Sequence, residues 1–228
     1  MGRIKNHPSV NPALSYNAVS LRSRKGGVKL IVGFIFKEEN ILKKAEFFLK
    51  RRFGKIDFES QTLPFTHTDY YQDEFGKCLK RKFISFEKLV PPGTLSQIKI
   101  ITNRIEQKLS LNNKRKMEPT RAISLKGSYG RNTQAATTHP RPKGCGFGPR
   151  SINIDPGYLD LARLVLASTK DYKHRIYLNK GIYAEVTLFY QDRTFQPWQW
   201  TYPDYKTPEY IAIFNKIRDI LILQIKGN

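Results

Sequence analysis

A continuous apolar run near the start of the chain, 28-VKLIVGFIF-36, is the feature that most limits the fold. Its length is that of a β-strand. Apolar residues then recur at helical spacing from Ile41 to Phe53, and Gly54 ends that pattern. The folded part of the chain is therefore predicted to begin with a strand that leads directly into a helix.

Three further extended segments enlarge this pattern. They lie at residues 56–60, 80–87 and 151–155. Before the third, the segment 94-TLSQ-97 predicts a capping box for a helix whose apolar stripe runs to Leu109. The resulting order, β-α-β-β-α-β, is typical of a ferredoxin-like fold, in which two helices cover one face of a four-stranded antiparallel sheet.

The C-terminal part of the chain adds more elements. We predict a helix over 159-LDLARLVLAS-168, a β-hairpin over 174–190, a strand-like segment at 196-QPWQW-200 and a last helix capped by Thr207 with Pro208 in its first turn. The predicted fold class is therefore α+β, with a ferredoxin-like β-α-β-β-α-β core followed by a helix, a β-hairpin and a C-terminal helix.

The hairpin 174-HRIYLNKGIYAEVTLFY-190 carries a mixed set of polar and aromatic side chains. A three-residue turn at 179-NKG-181 opposes positions 178 and 182, 177 and 183, and 175 and 185. Side chains alternate along a strand, so one face is polar and the other is apolar. The polar face holds Arg175, Tyr177, Tyr183, Glu185 and Thr187. The apolar face holds Ile176, Leu178, Ile182, Ala184, Val186 and Leu188, together with His174 as a packed histidine.

That polar face is a candidate ligand-binding surface. Arg175 offers a fork of donors for a phosphate or carboxylate, Tyr177 and Tyr183 offer stacking surfaces, and Lys170 precedes the strand. An exposed ion pair between Arg175 and Glu185 on a solvated sheet face is the simpler alternative. Four residues of other short motifs are further candidate ligand contacts, with turn-holding as the alternative for the two aspartates: Asp69, Tyr70, Asp155 and Tyr158.

The net charge of +21 indicates affinity for nucleic acid, but most of the excess positive charge lies in two segments. Residues 1–29 contain six Lys or Arg and no acidic residue, and residues 111–150 contain nine Lys or Arg and one acidic residue. We predict that residues 1–27 form a flexible basic tail. Residues 28–228 are predicted to form one α+β domain, interrupted by a basic, disordered insertion at 111–150. Nucleic acid or a nucleotide is thus a candidate partner, through these segments and through the Arg/Tyr face.

Several functional classes lack their sequence signals. Cys78 and Cys145 form no C-x-x-C pair, which argues against a disulfide framework or a cysteine zinc site. The P-loop and G-x-S-x-G patterns do not occur. No apolar run approaches the ~20 residues of a membrane span. We therefore expect no metal site and no membrane association, and a cytoplasmic location; no pattern indicates a cofactor.

Four strings carry a resemblance to a known family: 68-TDYY-71, 155-DPGYL-159, 174-HRIYLNKGIYAEVTL-188 and 200-WTYPDY-205. In this order the chain resembles the bacterial and archaeal family named domain of unknown function 4416, over roughly residues 28–110 and 151–226. The resemblance implies a microbial cytoplasmic protein and no particular reaction. The basic tail and the basic insertion depart from the family pattern.

The function favoured by the sequence is binding of a phosphate-bearing ligand, a nucleotide or RNA, on the Arg/Tyr/Glu face. An enzyme on the same face is one alternative, with Glu185 or a nearby Asp as the base and Arg175 or Lys170 stabilising developing negative charge. A structural or partner-binding module is the other.

Overall fold

The computed structural model describes residues 27–66, 78–117 and 151–227. Residues 1–26 of the predicted tail, most of the predicted insertion, and the candidate residues Asp69 and Tyr70 lie outside these ranges. The described helices and strands are, in chain order, β1 Lys29–Phe36, α1 Glu39–Phe53, β2 Ile56–Glu59, β3 Leu63–Pro64, β4 Lys80–Phe86, α2 Leu95–Met117, β5 Ile152–Leu159, β6 Arg163–Ser168, β7 Ile176–Asn179, β8 Ile182–Gln191, β9 Thr194–Pro197 and α3 Pro208–Lys226.

The strands join in one antiparallel sheet in the order β2-β4-β1-β5-β6-β8-β7, with β3 paired to β4 and β9 paired to β8. The predicted α+β class is confirmed. Strands β1, β2, β4 and β5, with α1 between β1 and β2 and α2 between β4 and β5, are compatible with the ferredoxin-like arrangement. Strands β6 to β9 extend that sheet on one side.

The apolar run that opens the fold becomes the central strand β1, which is buried along its whole length. Leu30, Val32 and Phe34 pack with α1 and α2 in one cluster. Ile31 faces the opposite way, into a second cluster with α3. Because both faces of β1 are covered, its sequence does not alternate between apolar and polar residues.

The predicted helix over 159–168 is wrong. Leu159 ends β5, and Arg163–Ser168 forms β6, which pairs with β5 on one side and β8 on the other. The Asp160 carboxylate accepts hydrogen bonds from the backbone N–H groups of Ala162 and Arg163, at 2.8 and 2.9 Å. An aspartate turn thus reverses the chain, and β8 supplies the pairing that overrides the helix-forming composition.

The ends of two helices test the predicted caps. Thr94 belongs to a short 3-10 turn, and its hydroxyl donates to the Pro91 carbonyl at 2.6 Å, so the expected capping box is wrong. Helix α2 continues to Met117, past the start of the predicted insertion. The predicted cap of α3 is confirmed, because the Thr207 hydroxyl accepts from the Tyr210 N–H and Pro208 begins the helix.

Helix α2 also covers an open edge of the sheet. β6 joins β5 only from Gly157 onward, which leaves the edge of β5 open before it. There the Lys99 ammonium donates to the Ile154 carbonyl at 3.0 Å, and the Glu106 carboxylate accepts from the Ile154 N–H at 2.6 Å. These bonds satisfy the strand edge and fix Lys99 beside Asp155.

Candidate functional site

The hairpin has the predicted pairing near its polar residues but a tighter turn. Tyr177 opposes Tyr183 as predicted, with their ring centroids 5.4 Å apart. Asn179 pairs with Ile182, so the loop contains only Lys180 and Gly181, with φ of 53° and 74°. Two successive positive φ values fit a two-residue hairpin turn, whose twist matches that of the strands.

The apolar face predicted for the hairpin is only partly buried. In β8, Ile182 is buried and packs with Ala184, Val186 and the α2 residue Leu95. In β7 all four residues are exposed, and Ile176 is 70% exposed. The prediction that Ile176 and Leu178 are buried is therefore wrong. The reason is that β7 ends the sheet.

Arg175 and Glu185 form a buried ion pair, so the solvated alternative is wrong. Their side chains are each 3% exposed, and Arg175 Nε donates to Glu185 Oε2 at 2.8 Å. The guanidinium also donates to the Ser168 hydroxyl at 2.7 Å, the Lys170 carbonyl at 3.1 Å and the Tyr202 hydroxyl at 3.1 Å. These bonds occupy both ends of the Arg175 fork, which leaves it poorly suited to take a ligand phosphate.

His174 shares the carboxylate of that pair. Its Nε2 lies 3.2 Å from Glu185 Oε2, so the predicted place on the apolar face is wrong. Strand β7 begins only at Ile176, and the alternation of side chains does not extend back to His174. Glu185 Oε1 is buried and has no hydrogen-bond partner among the described residues.

A row of exposed rings adjoins this buried pair. Ring centroids are 5.9 Å apart between Tyr172 and His174, 5.8 Å between His174 and Trp200, and 5.1 Å between Trp200 and Trp198. The two indoles are nearly parallel, at 7°. We call the following residues the aromatic surface: Tyr172, His174, Trp198, Trp200 and Tyr202. Its tyrosines and tryptophans are 36–46% exposed.

The segment after β9 presents the two tryptophans. It runs beside β8, where the Trp200 indole N–H donates to the Val186 carbonyl at 3.3 Å. The Thr201 hydroxyl donates to the Thr187 carbonyl at 2.6 Å and accepts from the Trp198 N–H at 2.9 Å. Side chains thus satisfy the β8 carbonyls where β9 has ended, which fixes the backbone that carries both indoles.

A second polar cluster lies on the sheet face that packs against α3. We call it the Arg81 centre, and it comprises Arg81, Lys99, Asp155, Asp204, Tyr205 and Tyr210. Arg81 Nη2 donates to the Tyr205 hydroxyl at 2.7 Å and to Asp204 at 3.4 Å. Asp155 lies between two cations, 3.8 Å from Arg81 Nη1 and 3.2 Å from Lys99 Nζ.

Aromatic rings surround the Arg81 guanidinium. Its central carbon lies within 6 Å of four ring centroids, the nearest being Phe83 at 4.9 Å. Burial by itself lowers the pKa of Arg81, but Tyr205 and Asp204 raise it above its ordinary value, so the charge is retained. Burial raises the pKa of Tyr210 to about 12 and that of Tyr205 well above its ordinary value. Both phenols are therefore neutral at physiological pH.

The predicted site residues thus lie in different parts of the structure. The hairpin brings together Arg175, Tyr177, Tyr183, Glu185 and the main chain of Lys170. Asp155 belongs to the Arg81 centre instead. Tyr158 packs with Leu95 and Val165, and burial raises its pKa. In the described parts of the chain, no group of His, Cys, Asp and Glu has the arrangement of a metal site.

Comparison with known proteins identifies a family and nothing more specific. The family model described as domain of unknown function, DUF4416, matches residues 26–119 and 142–221. The chain belongs to this family. No curated protein and no solved structure matches it. Among the described residues, no helix has the length and apolarity to cross a membrane.

Three of the four strings that resemble DUF4416 come together in the structure, and the fourth, 68–71, lies outside the described residues. Asp155 from 155-DPGYL-159 and Asp204 from 200-WTYPDY-205 both approach Arg81, and Tyr202 of the latter string contacts Arg175. Arg81 itself was missed, because 80-KRKFISFE-87 was interpreted only as a strand. The signal was available: alternation places Arg81 on the same face as Phe83 and Ser85, where a charge needs a buried partner.

Proposed function

We propose that this DUF4416 protein binds a nucleotide or single-stranded RNA through the aromatic surface. The observation that carries the proposal is the row of ring contacts from Tyr172 to Trp198, in which large aromatic side chains stay partly exposed on a fixed backbone. Proteins that bind single strands without strong sequence preference stack bases on such rings, at about 1–3 kcal/mol per base.

Arg175 contacts two residues of the aromatic surface and holds them in place. Its guanidinium lies 4.6 Å from the Tyr172 ring centroid and donates to the Tyr202 hydroxyl, so it holds two rings of the surface. In this proposal the bases contact the rings, and Arg175 positions those rings without binding phosphate directly. Exposed Lys173, Lys180 and Lys206 lie on the neighbouring segments and supply the phosphate partners.

Tryptophan fluorescence provides a direct test. Trp198 and Trp200 are the only two tryptophans of the chain, so intrinsic fluorescence reports on this surface alone. Titration with a single-stranded RNA oligonucleotide or with mononucleotides is expected to quench the emission in a saturable way. Fluorescence anisotropy of a labelled RNA gives the affinity in parallel.

Two substitutions test whether RNA binding depends on the aromatic surface or on any exposed ring. Trp198→Leu is expected to weaken binding about tenfold, which corresponds to losing one stacking contact. Phe47→Leu, at an exposed ring of α1, is the matched control and should leave the affinity unchanged. Binding seen by anisotropy without any change in tryptophan emission would contradict the proposal and assign RNA affinity to the basic segments.

A further inference from the structure

The Arg81 centre gathers four charged groups from four elements. Arg81 comes from β4, Lys99 from α2, Asp155 from β5 and Asp204 from the turn before α3. Arg81 and Lys99 are buried, and two carboxylates balance their charges. A buried network of this kind is expensive in desolvation, and replacing it with apolar residues is often neutral or stabilising. Stability alone therefore gives a weak reason for it.

The hydrogen bonds of Arg81 are incomplete. Its side chain is 2% exposed, yet Nε and Nη1 have no hydrogen-bond partner in the described parts of the chain. The Tyr210 ring centroid lies 5.8 Å from the central carbon of the same guanidinium, and its hydroxyl makes no hydrogen bond of normal geometry to the described residues. Buried donors are nearly always satisfied, so the unsatisfied Nη1 indicates that an acceptor belongs beside this end of the guanidinium.

A glycine borders the guanidinium, and one carboxylate of the centre reaches solvent. Gly33 of β1 pairs with Phe83 on one side and Asp155 on the other, and an added Cβ would crowd the Phe83 ring at 3.0 Å and touch the Arg81 central carbon at 3.7 Å. The Asp155 side chain is 25% exposed, whereas those of Arg81, Lys99 and Asp204 are each below 10%. A ligand would therefore enter at Asp155.

We propose that the Arg81 centre is a binding site for a small oxyanion, a carboxylate or phosphate group. Its oxygens accept from Arg81 Nη1, the group that Asp155 approaches at 3.8 Å, from Lys99 and from the Tyr210 hydroxyl. These groups are all donors, and charge-assisted bonds from Arg and Lys to an oxyanion are among the strongest hydrogen bonds in proteins. The site is distinct from the aromatic surface, although the segment 198–205 contributes to both.

Charge balance assigns a role to Asp155. The centre holds two cations and two carboxylates, so an incoming anion competes with a resident one. Asp155 is the more exposed carboxylate. It accepts hydrogen bonds from Asn153 and Lys99, and its contact with Arg81 Nη1, at 3.8 Å, is longer than a hydrogen bond. The oxyanion displaces the Asp155 carboxylate toward solvent, and the centre stays neutral.

Asp155→Asn is the decisive variant in the full-length chain. It removes the competing charge with little change of shape, so binding of inorganic phosphate or acetate should tighten about tenfold or more. The readouts are the thermal unfolding temperature and the Arg81 Nε–H resonance in nitrogen-15 NMR spectra, with chloride at equal ionic strength as reference. Comparing phosphate with acetate distinguishes the two kinds of oxyanion.

Two further variants keep the test decisive. Asp160→Asn is the matched control: Asp160 pairs with Arg163 outside the Arg81 centre and is 26% exposed, close to the 25% of Asp155, so this change should leave oxyanion affinity unchanged. Tyr210→Phe removes one donor, and should weaken the affinity while the protein stays folded. The proposal is overturned if neither phosphate nor acetate moves the Arg81 resonance or the unfolding temperature of the wild type and of Asp155→Asn. An equal gain in Asp160→Asn, which would indicate a general charge effect, also overturns it.

Discussion

Two buried arginines differ in how completely their donors are used. Arg175 donates to a carboxylate, a hydroxyl and a carbonyl in the protein interior, and its Nη2 reaches Tyr202. In the parts of the chain that the structure describes, Arg81 donates hydrogen bonds through Nη2 alone. A saturated guanidinium holds neighbouring groups in place, whereas an unsaturated one retains donors for a ligand. In the proposed function, the aromatic surface therefore contacts the ligand, and Arg175 holds rings of that surface in place.

Breaking the Arg175–Glu185 pair tests this structural role. Arg175→Met leaves the Glu185 carboxylate buried without its main partner, so we expect unfolding free energy to fall by about 3–5 kcal/mol. Glu185→Gln should have a similar effect, measured by urea unfolding. Lys55→Met, which breaks the exposed pair with Glu87, is the control and should cost about 1 kcal/mol or less. A small loss in Arg175→Met would contradict the assignment.

The buried tyrosines predict an alkaline limit to stability. Burial raises the pKa of Tyr210 to about 12, above the ordinary value of 10.0. The folded state therefore keeps a proton that the unfolded state releases, and stability falls as the pH rises from about 10 to 12. Tyr210→Phe should flatten this decline in unfolding experiments at stepped pH, while Tyr177→Phe, at an exposed ring, should preserve it.

At the scale of elements, the junction of β5 and β6 joins the ferredoxin-like part of the sheet to its extension. The strands approach closely at Gly157, where an added Cβ would lie 2.4 Å from the Val165 carbonyl oxygen. Pro156 precedes it, at the end of the stretch of β5 that has no strand neighbour on this side. Proline is tolerated at a strand edge because it needs no ladder hydrogen bond there.

Gly157→Ala is expected to destabilise the protein through this junction. The methyl group meets backbone, which cannot move aside as a side chain can, so a loss of about 1–3 kcal/mol is expected in chemical unfolding. Gly93→Ala is the matched control, because nothing lies within 4 Å of the added carbon. Equal stability of the two variants would show that the strands separate at little cost.

At the scale of the whole molecule, we predict that most of the net charge of +21 belongs to segments outside the folded core. The described elements pack into clusters that draw on both sides of the sheet. The interpretation of residues 28–228 as one domain with a basic insertion remains a prediction. The structure does move the boundary, because α2 runs to Met117 and Ser110 accepts a hydrogen bond from the Ser151 N–H.

A shortened chain tests that interpretation. We expect a variant that lacks residues 1–26 and has a Gly/Ser linker in place of 118–150 to fold, as judged by circular dichroism and cooperative thermal unfolding. Its salt-dependent affinity for RNA should fall, because many phosphate-pairing cations are removed. The tryptophan response to RNA should persist. Failure of this variant to unfold cooperatively would show that the removed segments belong to the core.

The sequence by itself determined the elements whose signals are local. Strand β1, helix α1, the cap of α3 and the pairing of Tyr177 with Tyr183 follow from apolar periodicity, capping chemistry and turn position. Tertiary structure decided the rest. Residues 163–168 became a strand because β5 and β8 supply pairing that no local pattern encodes. Arg81, Asp155 and Asp204 meet although they are distant in sequence, because a buried charge selects its partner through the packing of the sheet against α3.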